Sequence, residues 1–133
     1  MEIINITAND RNNRLDMHPQ RILDAPILTF DLKLATERLK HEDMWLRENH
    51  NSITLMKNNR MRIVMMALRR KAEIKPHEAR SIVSIQVLEG KINLITESDT
   101  ITLKRGNLLT IHANIKHSLL ALKESVILQT LTF

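Results

Sequence analysis

The side chains in this 133-residue chain with the most chemistry to offer are imidazoles. His77 stands in Lys-Pro-His-Glu-Ala-Arg at 75–80, and His112 and His117 bracket the turn Ala-Asn-Ile-Lys within "GNLLTIHANIKH" at 106–117. Imidazole titrates near neutrality, hydrogen-bonds anionic or hydroxylated ligands, and ligates divalent metals. Three uses of His77 and His117 therefore stand side by side: members of a metal site, walls of a binding pocket, or satisfied polar groups that close the end of a fold. His112 is either a third inward imidazole, completing an open three-histidine site, or a turn residue bonded to a backbone carbonyl. Cysteine is absent, which removes disulfides, thiolate nucleophiles and thiolate zinc sites. Two glycines cannot make a glycine-rich phosphate loop, and no GxSxG elbow occurs. Ser118 beside His117 is no triad, because strand neighbours face apart, and His41-Glu42 lacks the second histidine of a metalloprotease helix.

These residues must be carried by strands. After Asn51 the apolar period is two, in short segments at 52–57, 62–68, 82–88, 91–96, 100–104, 107–111, 118–122 and 125–132. They are rich in β-branched residues and separated by turn-like stretches such as "EG", "ESD" and "KRG". About eight such segments predict a mainly β domain, a sandwich or closed jelly roll. Gly90 and Gly106 fall between strands, where turns need positive φ. Met65, Met66, Leu109 and Ile111 are expected to pack the barrel or an interface, since thioethers fill irregular cores.

Before the strands, Phe30 to Leu46 places Leu32, Ala35, Leu39 and Leu46 near helical spacing, and Asp31 can cap the start. One amphipathic helix is predicted, with Glu37, Arg38, Lys40, His41 and Glu42 as its solvated face. Residues 1–25 read as a polar arm that orders only when something packs on it. The expected organisation is an arm and helix over 1–50 and a barrel domain over 51–133, within one core.

Net charge is +5 and uneven: residues 1–50 carry seven Lys/Arg against nine Asp/Glu, the remainder thirteen against six. The basic residues are scattered, at 60–62, 69–71 and 104–105, and read as solvated edges that discourage sheet aggregation. Nucleic-acid binding wants aromatics interleaved with charge, and this half has only Phe133. No apolar run approaches the length of about 18 residues that spans a membrane, and the N-terminus lacks a signal peptide's apolar centre. A cytoplasmic, unexported protein that binds neither nucleic acid nor membrane is expected.

The stretch "KPHEARSIVSIQVLEGKINL", followed by "TLKRGNLLTIHANIKHSLLALKESVILQTL", resembles the cupin superfamily over roughly Ser52 to Phe133. A first cupin-like motif runs from His77 to the hairpin "VLEG" at 87–90, and a second runs from Gly106 to His117. The resemblance implies an antiparallel jelly-roll barrel, here with an N-terminal arm and one helix. Metal-binding cupins offer two His and a Glu from the first motif and one His from the second. Here the glutamate position holds Val83 and the second histidine position holds Ala79; Glu78 and Gln86 have the wrong parity to substitute. His112 takes the family's usual proline position. The resemblance thus implies a small-molecule binder or sensor with a degenerate metal site, whose ligand contacts fall to His77, His117 and His112. The alternatives are a metal-dependent oxygenase or isomerase, with His77 and His117 holding iron, manganese or zinc, and a non-enzymatic interaction module. Whether the chain is an enzyme is left open, as is whether it has any cofactor. Cupins pair through their sheets, so a homodimer is expected.

Overall fold

The computed structural model describes residues 3–6, 22–77 and 80–133, the backbone alone at 3–6, 76 and 77. A short strand β1 (Ile3–Ile6) pairs in parallel with β2 (Ile27–Phe30), so part of the predicted arm is a strand; of the remainder only 22–25 is described, as irregular chain leading into β2. The predicted single helix is two: α1 (Leu32–Leu39) and α2 (Asp43–Arg47). Asp31 caps α1 as expected, its Oδ1 accepting from the Leu34 amide at 3.0 Å. The break at Lys40–Glu42 rotates the second helix, so that Trp45 is buried and Leu46 is 69% exposed, the reverse of the single-helix reading. Asn51, itself buried, holds the break by donating from Nδ2 to the Leu39 carbonyl (3.0 Å) and to Glu42 Oε1 (2.7 Å). These bonds satisfy a helix-end carbonyl that has no partner within the helix.

All eight predicted strands are present: β3 (His50–Lys57), β4 (Met61–Leu68), β6 (Ile82–Glu89), β7 (Lys91–Thr96), β8 (Thr100–Lys104), β9 (Leu108–Ile111), β10 (His117–Ala121) and β11 (Ser125–Thr132). The sequence reading missed β2 and also β5 (Glu73–His77). Two antiparallel sheets result, β5-β10-β7-β8 and β3-β4-β11-β6-β9. They pack face to face, because Leu68, Val83, Ile85, Val87, Ile111 and Ile127 from one meet Ile92, Leu94, Leu103, Leu119 and Ala121 from the other in a single buried cluster. This is a jelly-roll architecture, as predicted.

The five-stranded sheet is buried on both faces. Its outer face, with Ile53, Leu55, Met65, Ala67 and Val126, packs against Leu34, Ala35, Leu39 and Trp45 of the helices. Strand alternation separates the two sets: along β4, Met65 and Ala67 face the helices while Met66 and Leu68 face the other sheet. Met66, Leu109 and Ile111 are thus inter-sheet packing and Met65 helix packing, within the expected role.

Gly90 turns the β6–β7 hairpin at φ +86°, and a Cβ there would collide with the Glu124 carbonyl and the Ser125 hydroxyl. The fully buried Ser125 locks this corner: its Oγ accepts from the Lys91 amide at 3.0 Å and bonds the Lys123 carbonyl at 2.7 Å. The rigid base leaves the opposite end, where β10 begins and β6, β4 and β11 meet, to form the mouth.

Candidate functional site

His117 opens β10 at the mouth. Its alternation with Leu119 and Ala121, regular against β7, puts the imidazole on the inner face. It is 7% exposed. The preceding turn contains Asn114 at φ +68°, a conformation that asparagine tolerates better than most residues. The chain then returns so that His117 Nδ1 lies 2.9 Å from the Ile115 carbonyl. A carbonyl only accepts, so Nδ1 carries the hydrogen and donates it, which fixes the orientation of the ring.

His77 is the register partner of His117 across the β5–β10 ladder, on a strand whose pairing slips between His117 and Leu119. The two histidines singled out in the sequence are therefore cross-strand neighbours in the backbone. His112 sits elsewhere: it follows β9, is exposed, and lines neither of the clefts beside His117.

Two clefts share His117 and Ser118. The inner one, about 400 Å³, is lined by Met66, Ile74, Lys75, His117, Ser118, Leu119 and Gln129. Met66 and Gln129 come from the five-stranded sheet and the others from the four-stranded one, so this cleft lies between the sheets. Its floor of Met66, Ile74 and Leu119 is apolar and its walls are polar, the usual character of a small-ligand site. The outer one, about 960 Å³, lies between the β7–β8 turn (Glu97, Ser98, Asp99) and the β9–β10 turn (Asn114, Ile115, Lys116).

The chain has the fold of the cupin superfamily. A cupin superfamily protein from Desulfitobacterium hafniense superposes with TM-score 0.63 at 19% identity, over 65% of this chain and 81% of that one. A conserved protein of unknown function from Streptococcus pyogenes gives 0.61 at 21% identity, over 65% and 75%. A transcriptional regulator from Vibrio cholerae gives 0.57 at 21% identity, over 64% of this chain and 51% of that one. No protein-family model matches the sequence, and no curated protein is significantly similar to it.

Among the described residues, the ligand set that a metal in this fold would need is incomplete. Val83, at the glutamate position, is 3% exposed and packed in the inter-sheet cluster, where an aliphatic side chain has no lone pair to give. Gln86 is exposed, as its parity predicts. Ala79 and Glu78 lie outside the described residues. Among the described residues no three His, Asp or Glu side chains converge. No helix among them is long and apolar enough to cross a membrane.

The sequence reading missed Gln129 and Lys75 as site residues. Gln129 sits in a strand of otherwise apolar and hydroxyl side chains, and its inward parity with Ile127 and Leu131 was the available signal. Lys75 lies on β5, the strand that was overlooked.

Proposed function

We propose that the protein binds or senses a small polar molecule in the cleft between its sheets. The observation that carries this reading is the placement of His117: buried, held by the Ile115 carbonyl, and facing Gln129 of the opposite sheet across an apolar floor. A group fixed in this way loses little entropy on binding, and an amide and an imidazole read hydroxyl and carboxyl groups by donating and accepting hydrogen bonds. Ser118 and Lys75 complete the lining at the rim. The likeness of fold to a transcriptional regulator from Vibrio cholerae is compatible with a sensing role.

The test is a titration with small hydroxylated and carboxylated compounds, followed by nuclear magnetic resonance. Signals from the Met66 and Leu119 methyls, the Gln129 amide and the His117 ring are expected to move together with one binding constant. In His117→Ala the shifts at the other three should vanish while the fold persists by circular dichroism. Compounds that bind only at distant surfaces would defeat the proposal.

A further inference from the structure

A second set of polar groups stands at the same mouth, and the reading of 60–62 as solvated edge fails to describe it. Arg62 lies on β4 two and four residues before Val64 and Met66, so it shares the inner face with Met66. Its register partner on β11 is Leu131, which also packs toward the inter-sheet cluster. The guanidinium Nε of Arg62 is shut off from solvent and has no hydrogen-bond partner. Across the ladder on the other side, the residue directly opposite Arg62 is Lys57. Among the described residues neither cation is paired with a carboxylate.

Two like charges at directly opposed positions repel each other, and a buried donor without an acceptor has lost its water for nothing. Both costs disappear when an anion sits between the cations. A third group at this rim has the same deficit: Ser81, two residues before the inward Val83, is 2% exposed and its hydroxyl has no partner. Gln129, which lines the inner cleft, pairs with Val64 and is therefore the diagonal neighbour of Arg62, a separation of about 7–8 Å and within reach of an arginine side chain.

We infer that the molecule taken up by the inner cleft is a small organic carboxylate, and that Arg62, with Lys57, receives its charged end while Gln129 and His117 hold the remainder. This rests on the reading of the cleft as a ligand site and adds the chemical class. Arginine suits the task because its planar fork matches a carboxylate and stays charged at every accessible pH.

The probes are acetate, succinate and citrate, and the neutral amides acetamide and succinamide, titrated into the full chain. The Arg62 Nε–H signal is expected to move with a carboxylate at the same concentration as the Gln129 and His117 signals. Arg62→Gln should weaken that binding about tenfold or more, as loss of a charge-assisted contact does, Lys57→Gln less, and Arg105→Gln, on an exposed turn at the far end, not at all. Arg62→Gln and Lys57→Gln should also melt at or above the parent temperature, because repulsion and a stranded donor are removed; a marked drop would show Arg62 to be a structural group and overturn the inference. Amides that bind as tightly as the acids, or equal affinity in Arg62→Gln, would overturn the carboxylate class while leaving the cleft standing. If no probe of either kind moves Gln129 or His117, the cleft reading falls and the inference with it.

Discussion

His117 and Val83 lie on the inner faces of opposed sheets, and their chemistry decides what the mouth can do. An imidazole held in place is one hydrogen-bonding group, but a tightly held metal needs several such lone pairs converging on one point. Val83 supplies none, and a carboxylate placed there would have to be buried among Ile85, Ile111 and Leu119 at a large desolvation cost unless an ion neutralised it. A carboxylate at this position and an ion beside it would thus stand or fall together. Protein purified without a histidine tag is expected to hold iron, manganese or zinc at well below one ion per chain, unchanged in His117→Ala. A stoichiometric ion that the variant loses, measured by elemental analysis, would restore the metal-enzyme reading.

At the scale of elements, the helical layer is fastened to the sheets by a few polar groups placed at its ends. Lys40, just past α1, reaches Glu124 Oε2 at 3.0 Å and Glu89 Oε2 at 3.3 Å, tying the helix to the β10–β11 turn and the β6–β7 hairpin. Arg69 stacks over the Trp45 ring at 4.4 Å and donates from Nε and Nη2 to the Trp45 carbonyl, closing α2. Burial of the Lys40 ammonium works against its charge, but hydrogen bonds and attraction from Glu124 and Glu89 outweigh it and raise its pKa above the ordinary lysine value. A raised pKa in the folded state means that the clasp is complete at neutral pH and is lost only as pH climbs through that raised value. Lys40→Met should cost about 1 kcal/mol at neutral pH, as a partly exposed ion-pair network does, and the gap to the parent should shrink above about pH 10.4. A gap in melting temperature that narrows instead on acidification from neutral to about pH 6 would contradict this. The elements themselves were unequally legible in the sequence. Strands buried on one or both faces announced themselves through alternation, whereas β5, "EIKPH", carries a proline and charged residues, and its pairing slips beside Pro76, so no period survives to be read. The motif interval gave His117, and Gln129 could be had from parity. Arg62 shares the parity of Met66 and could be had in the same way, but Lys57 could not: its place opposite Arg62 depends on the bulge between Thr54 and Met56, a tertiary outcome that composition does not record.

Over the whole molecule, one sheet serves two cores. The inner faces of β4 and β11 pack against the other sheet, and their outer faces carry the helices; Val126 and Ile127 are adjacent in sequence and belong to different clusters. The helices before residue 50 are therefore joined to the sheet by a packed interface. Leu39, Trp45, Leu55 and Met65 are each within 5% of full burial, and uncovering side chains of this kind costs roughly 1.5–3 kcal/mol apiece. Summed over that outer face, the cost is comparable with the entire stability of an ordinary domain. The layer and the sheet pair should therefore unfold together. Calorimetry of the full chain is expected to show one transition whose calorimetric and van't Hoff enthalpies agree. A chain beginning at Asn49 should aggregate or melt far lower, since Ile53, Leu55, Met65 and Val126 would lie bare on a flat sheet. Two resolved transitions, or a truncated chain that keeps the parent melting temperature, would show instead that the segment before β3 is an appendage, and that the mouth is held in shape by the inner core alone.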